Sequence, residues 1–495
     1  MKENKGITLI ALIITIVVML ILVAVSVNVL INSNIIGQAE KAAKGYKTAY
    51  EQEQTRIDEL MEEWNRLEQE QCAHIWGEEK ITKAATCTET GTKTRTCTKC
   101  GKVETLTIQA LGHNYVSGKC TRCNEKKLPE IEAGTRATEP SEYKSNNKTA
   151  VIPAGFTVSG ISTEQSIDGG LVIYDIPEGR TVNWTNPDSV KTQYNQFVWI
   201  PVEVNKTTEP KDTETSIASF YRTAWADNTS TGGKRTTGLD THYFTEPYSF
   251  DSSDYDGTGR GKTGISAQIT ELTKSIYKYG GFYIGRYEAG SEKEERGDGS
   301  SQTAAFVVQQ DKYPYNYVQW GKGMGDVSEG AVYLSNSLYT GKTGYGVKSM
   351  LCTGAAWDSM LHFIKDSSHN VTSSSSWGNY SDSDTYKVYR GSLYSYSNST
   401  WSVADTTNGS DVTKNTRILL TTGATERNSS KNIYDVAGNC FEWTTEAFDT
   451  GRRVLRGGSY GLNGSNFTAR TRYDSDPTGV NDDSVSFRPL LYVAL

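Results

Sequence analysis

Eight residues with soft or borderline ligand atoms crowd one short segment: Cys72, His74, Cys87, Cys97, Cys100, His113, Cys120 and Cys123. They include six of the chain's eight cysteines and two of its five histidines. Cys97-Thr98-Lys99-Cys100 and Cys120-Thr121-Arg122-Cys123 each place two thiols at the spacing that grips a tetrahedral zinc ion. Six thiolates and two imidazoles are enough for two four-ligand zinc sites. Three disulfides are the alternative, which an extracellular setting permits. A bond inside one C-x-x-C loop is strained, which favours zinc or cross-pairing. No βαβ pattern surrounds either pair, so the expected role is structural rather than redox. Cys352 and Cys440 stand alone far downstream.

Oxygen chemistry gathers near the C-terminus. The run Asn432-Ile433-Tyr434-Asp435-Val436-Ala437-Gly438-Asn439-Cys440-Phe441-Glu442-Trp443-Thr444 is followed by Arg453-Val454-Leu455-Arg456-Gly457-Gly458-Ser459-Tyr460 and then by Ser486-Phe487-Arg488. In this order the three resemble the formylglycine-generating enzyme (sulfatase-modifying factor) family, which has a C-type-lectin-like fold. The segment from Leu351 to Asp358 fits an earlier helix of that family more loosely. The resemblance implies two copper-binding cysteines shortly after the Gly-Gly-Ser-Tyr turn. The corresponding stretch, Gly461 to Arg472, contains no cysteine, and copper(I) chemistry needs thiolates. A non-catalytic, adhesin-type head is therefore expected, with a formylglycine-generating oxidase or a structural minor pilin as the alternatives. The resemblance also implies a calcium site made of an Asp435 side-chain oxygen and the carbonyls of Val436, Gly438 and Cys440. Otherwise Asp435 caps a turn and Glu442 answers an arginine.

The stretch from Tyr460 to Ser484 is rich in Tyr, Asn, Asp, Ser and Gly and holds no Lys, Glu, Gln, Met or Trp. Rigid aromatics beside short hydrogen-bonding groups suit an adaptable binding face. It resembles the variable regions of diversity-generating retroelement target proteins, which share the lectin-type fold. The candidate contacts to a protein or glycan ligand are Tyr460, Leu462, Asn463, Ser465, Asn466, Phe467, Thr471, Tyr473, Asp474, Asp476, Asn481 and Asp482. Tyr460, Phe467 and Tyr473 are the expected anchors. Arg456, Arg470, Arg472 and Arg488 are expected to form ion pairs beneath that face.

The elements that must carry these sites follow from the remaining pattern. After Met1 to Gly6 the chain is mostly apolar from Ile7 to about Val25 and weakly so to Ile31, long enough to cross a bilayer. Tyr46, Ala49, Tyr50, Ile57, Leu60, Met61, Trp64 and Leu67 then recur every three or four residues amid charge, the mark of an amphipathic helix. The basic leader ending in Gly6, with Ile7-Thr8-Leu9-Ile10 after it, resembles type IV pilins and pseudopilins. That resemblance implies cleavage after Gly6 and methylation of Ile7 by a prepilin peptidase, and pilin or pseudopilin subunits as partners. Pilins usually carry Glu where Ala11 stands, so polymerisation is in question. A plain anchor and a cleaved signal peptide are the other readings, and all three export the rest.

The expected fold class is α+β, divided into a leader at 1–6, a membrane helix at 7–31 and a stalk helix at 32–71. A zinc-ribbon-like module at 72–125 and a linker at 126–149 lead to a C-type-lectin-like head at 150–495. Within the head, strands are expected at Phe197 to Val202 and Gly281 to Glu288 and a helix at Ala355 to Ile364. Ser373 to Ser383 and Ser392 to Asn408 read as loops. A formal net charge of −7 with no basic run argues against nucleic acid as a partner. Together these patterns describe a cell-surface, single-pass membrane protein.

Overall fold

The computed structural model describes residues 9–32, 35–202, 265–292, 301–323, 326–397, 400–406, 409–447, 452–479 and 482–495. Gly6, Ile7 and Asn481 lie outside them. The chain divides into two compact units, Met1–Gly112 and His113–Leu495, so the boundary falls inside the segment expected to be one Cys/His module.

The first unit opens with helix α1, Leu9–Asn32, and helix α2, Ile35–Gln71. Among the described residues one helix is long and apolar enough to cross a membrane, over Ile10–Asn28. A membrane anchor and a signal sequence share that form. Helix α1 carries no charged residue, whereas α2 is far too polar to sit in lipid. Beyond it, strands Lys80–Lys83, Gly91–Thr96 and Val103–Ile108 form an antiparallel sheet in sequence order. Few apolar residues are buried there, so the sheet needs a second source of stability.

The second unit is a mixed α+β body with a large core. Its main sheet has six strands in the spatial order Val347–Leu351, Pro489–Val493, Gly281–Gly285, Gln196–Pro201, Val172–Tyr174 and Thr157–Val158, every neighbouring pair antiparallel. Phe197, Val198, Trp199 and Ile200 form a continuous buried run, as a strand covered on both faces requires. The helix Gly354–Ile364 starts on Thr353, whose hydroxyl accepts the Ala356 N–H at 3.0 Å. It is buried on more than one face, with Trp357 and Asp358 inside. Its Trp357 indole N–H reaches Ala469 O at 3.0 Å. Trp443 and Trp320 do the same to Val318 O and Thr444 O, each at 2.9 Å, so large apolar rings also stitch loops to the core.

A second sheet has four strands, ordered Tyr473–Ser475, Arg453–Arg456, Phe441–Ala447 and Val485–Phe487. The last two are parallel, with Glu442 opposite Ser486. Two of the expected irregular segments are ordered instead. The supposed linker holds the hairpin Ser141–Ser145 and Lys148–Ile152, with Ala137, Tyr143 and Ala150 buried. Its turn is Asn146-Asn147, both at positive φ (50° and 61°), the conformation that a tight hairpin demands and Asn tolerates. Likewise Ser392–Ser397 pairs with Thr400–Asp405 and with Ile418–Leu420. The second sheet is tied down by charge. Arg488 donates to Glu442 Oε2 at 2.9 Å and Oε1 at 2.5 Å, and also to Gly285 O and Tyr434 O at 2.9 Å each. Both side chains are out of solvent.

Breaking such a pair leaves one charge stranded. Glu442→Ala is expected to cost about 3–5 kcal/mol in a denaturant titration followed by tryptophan fluorescence, whereas Glu442→Leu with Arg488→Met should cost much less. Equal losses in the two would show that the ion pair is not the source.

Candidate functional site

The ligand segment is built on two knuckles of the same make. In the first, the Gly101 N–H bonds Cys97 O at 3.0 Å and the Cys97 N–H bonds Lys102 O at 2.8 Å, with Gly101 at φ +70°. In the second, the Asn124 N–H bonds Cys120 O and the Cys120 N–H bonds Glu125 O, both at 2.8 Å, with Asn124 at φ 60°. Each turn presents two thiols to one side. Cys72, His74, Cys97 and Cys100 place their ligand atoms within 4.8 Å of one another. Cys72 Sγ lies 3.9 Å from Cys97 Sγ, and Cys100 Sγ lies 3.4 Å from His74 Nδ1. With zinc–sulfur bonds near 2.3 Å and zinc–nitrogen bonds near 2.0 Å, the edges of a tetrahedron come to about 3.8 and 3.5 Å. The spacing fits a metal ion. No disulfide joins any of the eight cysteines.

Desolvation raises both Cys97 and Cys72. For Cys97 it is outweighed by the Cys100 backbone N–H and the His74 ring, which bring the thiol down to about 5. Cys72, close to Cys100 and Cys97, is pushed up to about 11. A thiolate therefore stands ready, and a cation would draw the proton off the next. His74 packs on Trp76 at 4.8 Å, and Trp76 carries the Arg95 guanidinium at 4.7 Å. Those contacts hold the imidazole in place from behind. In the second unit, His113, Cys120 and Cys123 gather their ligand atoms in the same way. His113 turns Nδ1 to Cys123 Sγ at 3.4 Å while Nε2 faces Glu125 at 3.4 Å, the carboxylate support common behind a metal-bound imidazole.

In the second unit, the candidate binding residues border a cleft of about 660 Å³. Tyr460, Leu462, Phe467, Tyr473, Asp474, Asp476 and Asp482 all line it, seven of the twelve named from the sequence. Phe441, which sequence reasoning left out, completes its aromatic wall. It stacks on Tyr473 at 5.3 Å, and Phe467 meets both rings edge-on at 6.1 and 5.9 Å. Gly458 permits this approach: at φ +78°, a Cβ there would stand 2.2 Å from Phe467 O. Asp476 Oδ1 takes the Thr478 N–H at 2.8 Å and Asp482 Oδ1 the Ser484 N–H at 2.8 Å, fixing both aspartates on tight turns. Asp474 is paired with Arg452.

Several expectations change. Tyr460 is a wall rather than a protruding anchor: it is 5% exposed, and its hydroxyl donates to Asp483 Oδ1 at 2.8 Å. Thr471 is buried, and Asn463 spends its carboxamide oxygen on the Ser465 N–H at 2.9 Å, because both shape the loop that carries Phe467. Ser465 and Asn466 are exposed and do not line the cleft. Arg456, Arg472 and Arg488 make buried ion pairs as expected. Arg470 is partly exposed and holds Val371 O through its backbone at 3.3 Å.

Asp435 is fully enclosed. Its Oδ2 accepts the Gly423 N–H at 2.7 Å, so it does cap a turn, yet Oδ1 has no hydrogen-bond partner. Burial pushes its carboxyl up to about 7, against the Gly423 N–H and Arg488. A buried bare oxygen of this kind fits a hard cation. Cys440 is buried too, and desolvation followed by Glu288 raises its thiol far up, which keeps it protonated.

No family model and no curated protein matches the chain. Among solved structures it is similar to Treponema denticola variable protein 1, at 14% identity and a TM-score of 0.23, over 42% of this chain and 84% of that one. A likeness of that size shows neither a shared fold nor a shared function.

Replacing Cys97 and Cys100 together with Ser should remove about one metal equivalent per chain, read by mass spectrometry of the purified protein. Unchanged metal content would exclude the first cluster as a site.

Proposed function

We propose that the chain is a membrane-anchored, surface-displayed binding protein whose C-terminal head captures a protein or glycan ligand in the cleft lined by Phe441, Phe467 and Tyr473. The observation that carries this reading is the convergence of seven sequence-selected residues on one cavity whose aromatic wall is held open by surrounding polar turns. Large rings that are already packed lose little freedom on binding, so they make efficient contacts. A lectin-type scaffold, diversified in the segment from Tyr460 to Ser484, is the proposed frame for that cleft. The four-ligand sulfur–imidazole set favours structural zinc in the Cys/His segment. Calcium held by Asp435 and the carbonyls of Val436, Gly438 and Cys440 is the proposed role of the orphan Asp435 oxygen. The apolar helix serves as anchor, with processing at Gly6 and Ile7 by a prepilin peptidase and pilin or pseudopilin subunits as neighbours.

The test is capture by the full chain, in lipid nanodiscs, on glycan arrays and arrays of bacterial surface proteins. Phe467→Ala and Tyr473→Ala should each weaken a captured ligand by about tenfold or more, as anchor residues do, without shifting thermal unfolding by more than a few degrees. Capture indifferent to both substitutions would reject the cleft as the binding site.

A further inference from the structure

Among the described residues nothing covers the apolar seam of helix α2. Tyr46, Tyr50, Ile57, Leu60, Trp64 and Leu67 are 78%, 60%, 42%, 58%, 71% and 41% exposed. Their steps of four, seven, three, four and three follow a heptad in which Tyr50, Ile57 and Trp64 share one seam position and Tyr46, Leu60 and Leu67 the other. The one missing beat is Glu53. A straight helix drifts about 20° per heptad away from such a pattern, so a strict seven-residue repeat keeps its seam covered only by supercoiling around another helix.

We propose that this seam is occupied by a second copy of the same chain, making the stalk a parallel two-stranded coiled coil. Four observations select that occupant. Ile57 at the first seam position with Leu60 at the second is the combination that favours two parallel strands. A groove of about 220 Å³ between Ile57, Leu60, Met61 and Trp64 offers a hole on the helix surface for an apolar knob from the facing copy. Lys47, Arg56 and Glu63 put both signs of charge beside the seam, and Lys47 and Glu63 have partners on the same helix, Glu51 and Arg66, each at 3.9 Å, which suits a copy of the same helix. Six large side chains hiding roughly 100 Å² each bury about 1,200 Å² over the two copies, which enters the range of stable interfaces. The parallel direction rests on the anchor reading above, since two chains fixed in one membrane by their N-terminal helices must run the same way. Glu53 then faces its own counterpart, fixing the register at a cost in affinity.

The full chain in lipid nanodiscs tests this, with the photoreactive residue p-benzoylphenylalanine at Tyr50 on the seam or at Thr55 on the far side. Illumination should give a product of twice the chain mass from position 50, at least tenfold more than from position 55. No such product, or equal yields, would overturn the pairing, as would cross-linking to lipid alone. Ile57→Asp with Leu60→Asp should reduce the product at least tenfold. Because that variant can lose the helix itself, Glu53→Leu supplies the opposite arm: it should tighten the dimer about tenfold in a dilution series, and an unchanged or weaker dimer counts against the seam. Alkaline extraction of membranes reads the anchor separately. A chain that washes off but still cross-links at position 50 keeps the pair and fails the anchor.

Discussion

Two guanidinium groups and two carboxylates close a ring inside the second unit. Arg456 meets Asp358 at 2.6 Å and Glu446 at 3.2 Å, while Arg472 meets Glu446 at 2.9 Å and also contacts Asp358. None of the four is exposed. The charges cancel, so the ring survives without water, but each member is essential to the others. Its members come from a core helix, from two strands of the second sheet and from the loop that leads to Tyr473. The cleft wall is therefore located by a network lying beneath it rather than by its own contacts. The exposed side chain of Asn466 lies outside that ring, whereas changing Arg472 or Asp358 would strand a buried charge.

The two units reach stability by different routes. The second has fully buried Trp199, Trp320, Trp357 and Trp443 and needs no external staple. The small sheet of the first has strands such as Lys80–Lys83, exposed at every residue. With so little apolar area to hide, a sheet of that size gains little stability from burial, and a metal ion held by Cys72, His74, Cys97 and Cys100 would add to it. Trp76, held between His74 and Arg95, shows how one ring serves both packing and ligand orientation there.

Much of this was readable in the residues, where a pattern had one physical meaning. Two knuckles of identical spacing could do little except gather sulfur. The Gly457-Gly458 pair marked a turn, and both residues do adopt positive φ. What escaped were elements with weak local signals. The hairpin Ser141–Ile152 runs past the end of the expected linker; its first strand has a single large apolar side chain, Tyr143, and its Asn146-Asn147 turn is the local sign of it. The helix Ile265–Tyr279 carried a plain stripe of Ile265, Ile269, Leu272 and Ile276. Phe441 escaped because nothing local in the sequence shows that one edge of a buried ring borders a cavity. Tyr460 failed for the converse reason: its burial depends on Asp483, more than twenty residues away.

The strand Pro489–Val493 is the last element of the chain, yet it sits inside the six-stranded sheet between Val347–Leu351 and Gly281–Gly285. Every residue of it is buried, and Ser275 on a core helix bonds Val493 O at 2.9 Å. Without this strand the sheet would have an empty lane flanked by two open edges, and Val347–Leu351 would be cut off from the other strands. The sheet therefore closes only through pairings between segments far apart in sequence, the kind of contact that forms slowly and leaves edges open to association in the meantime.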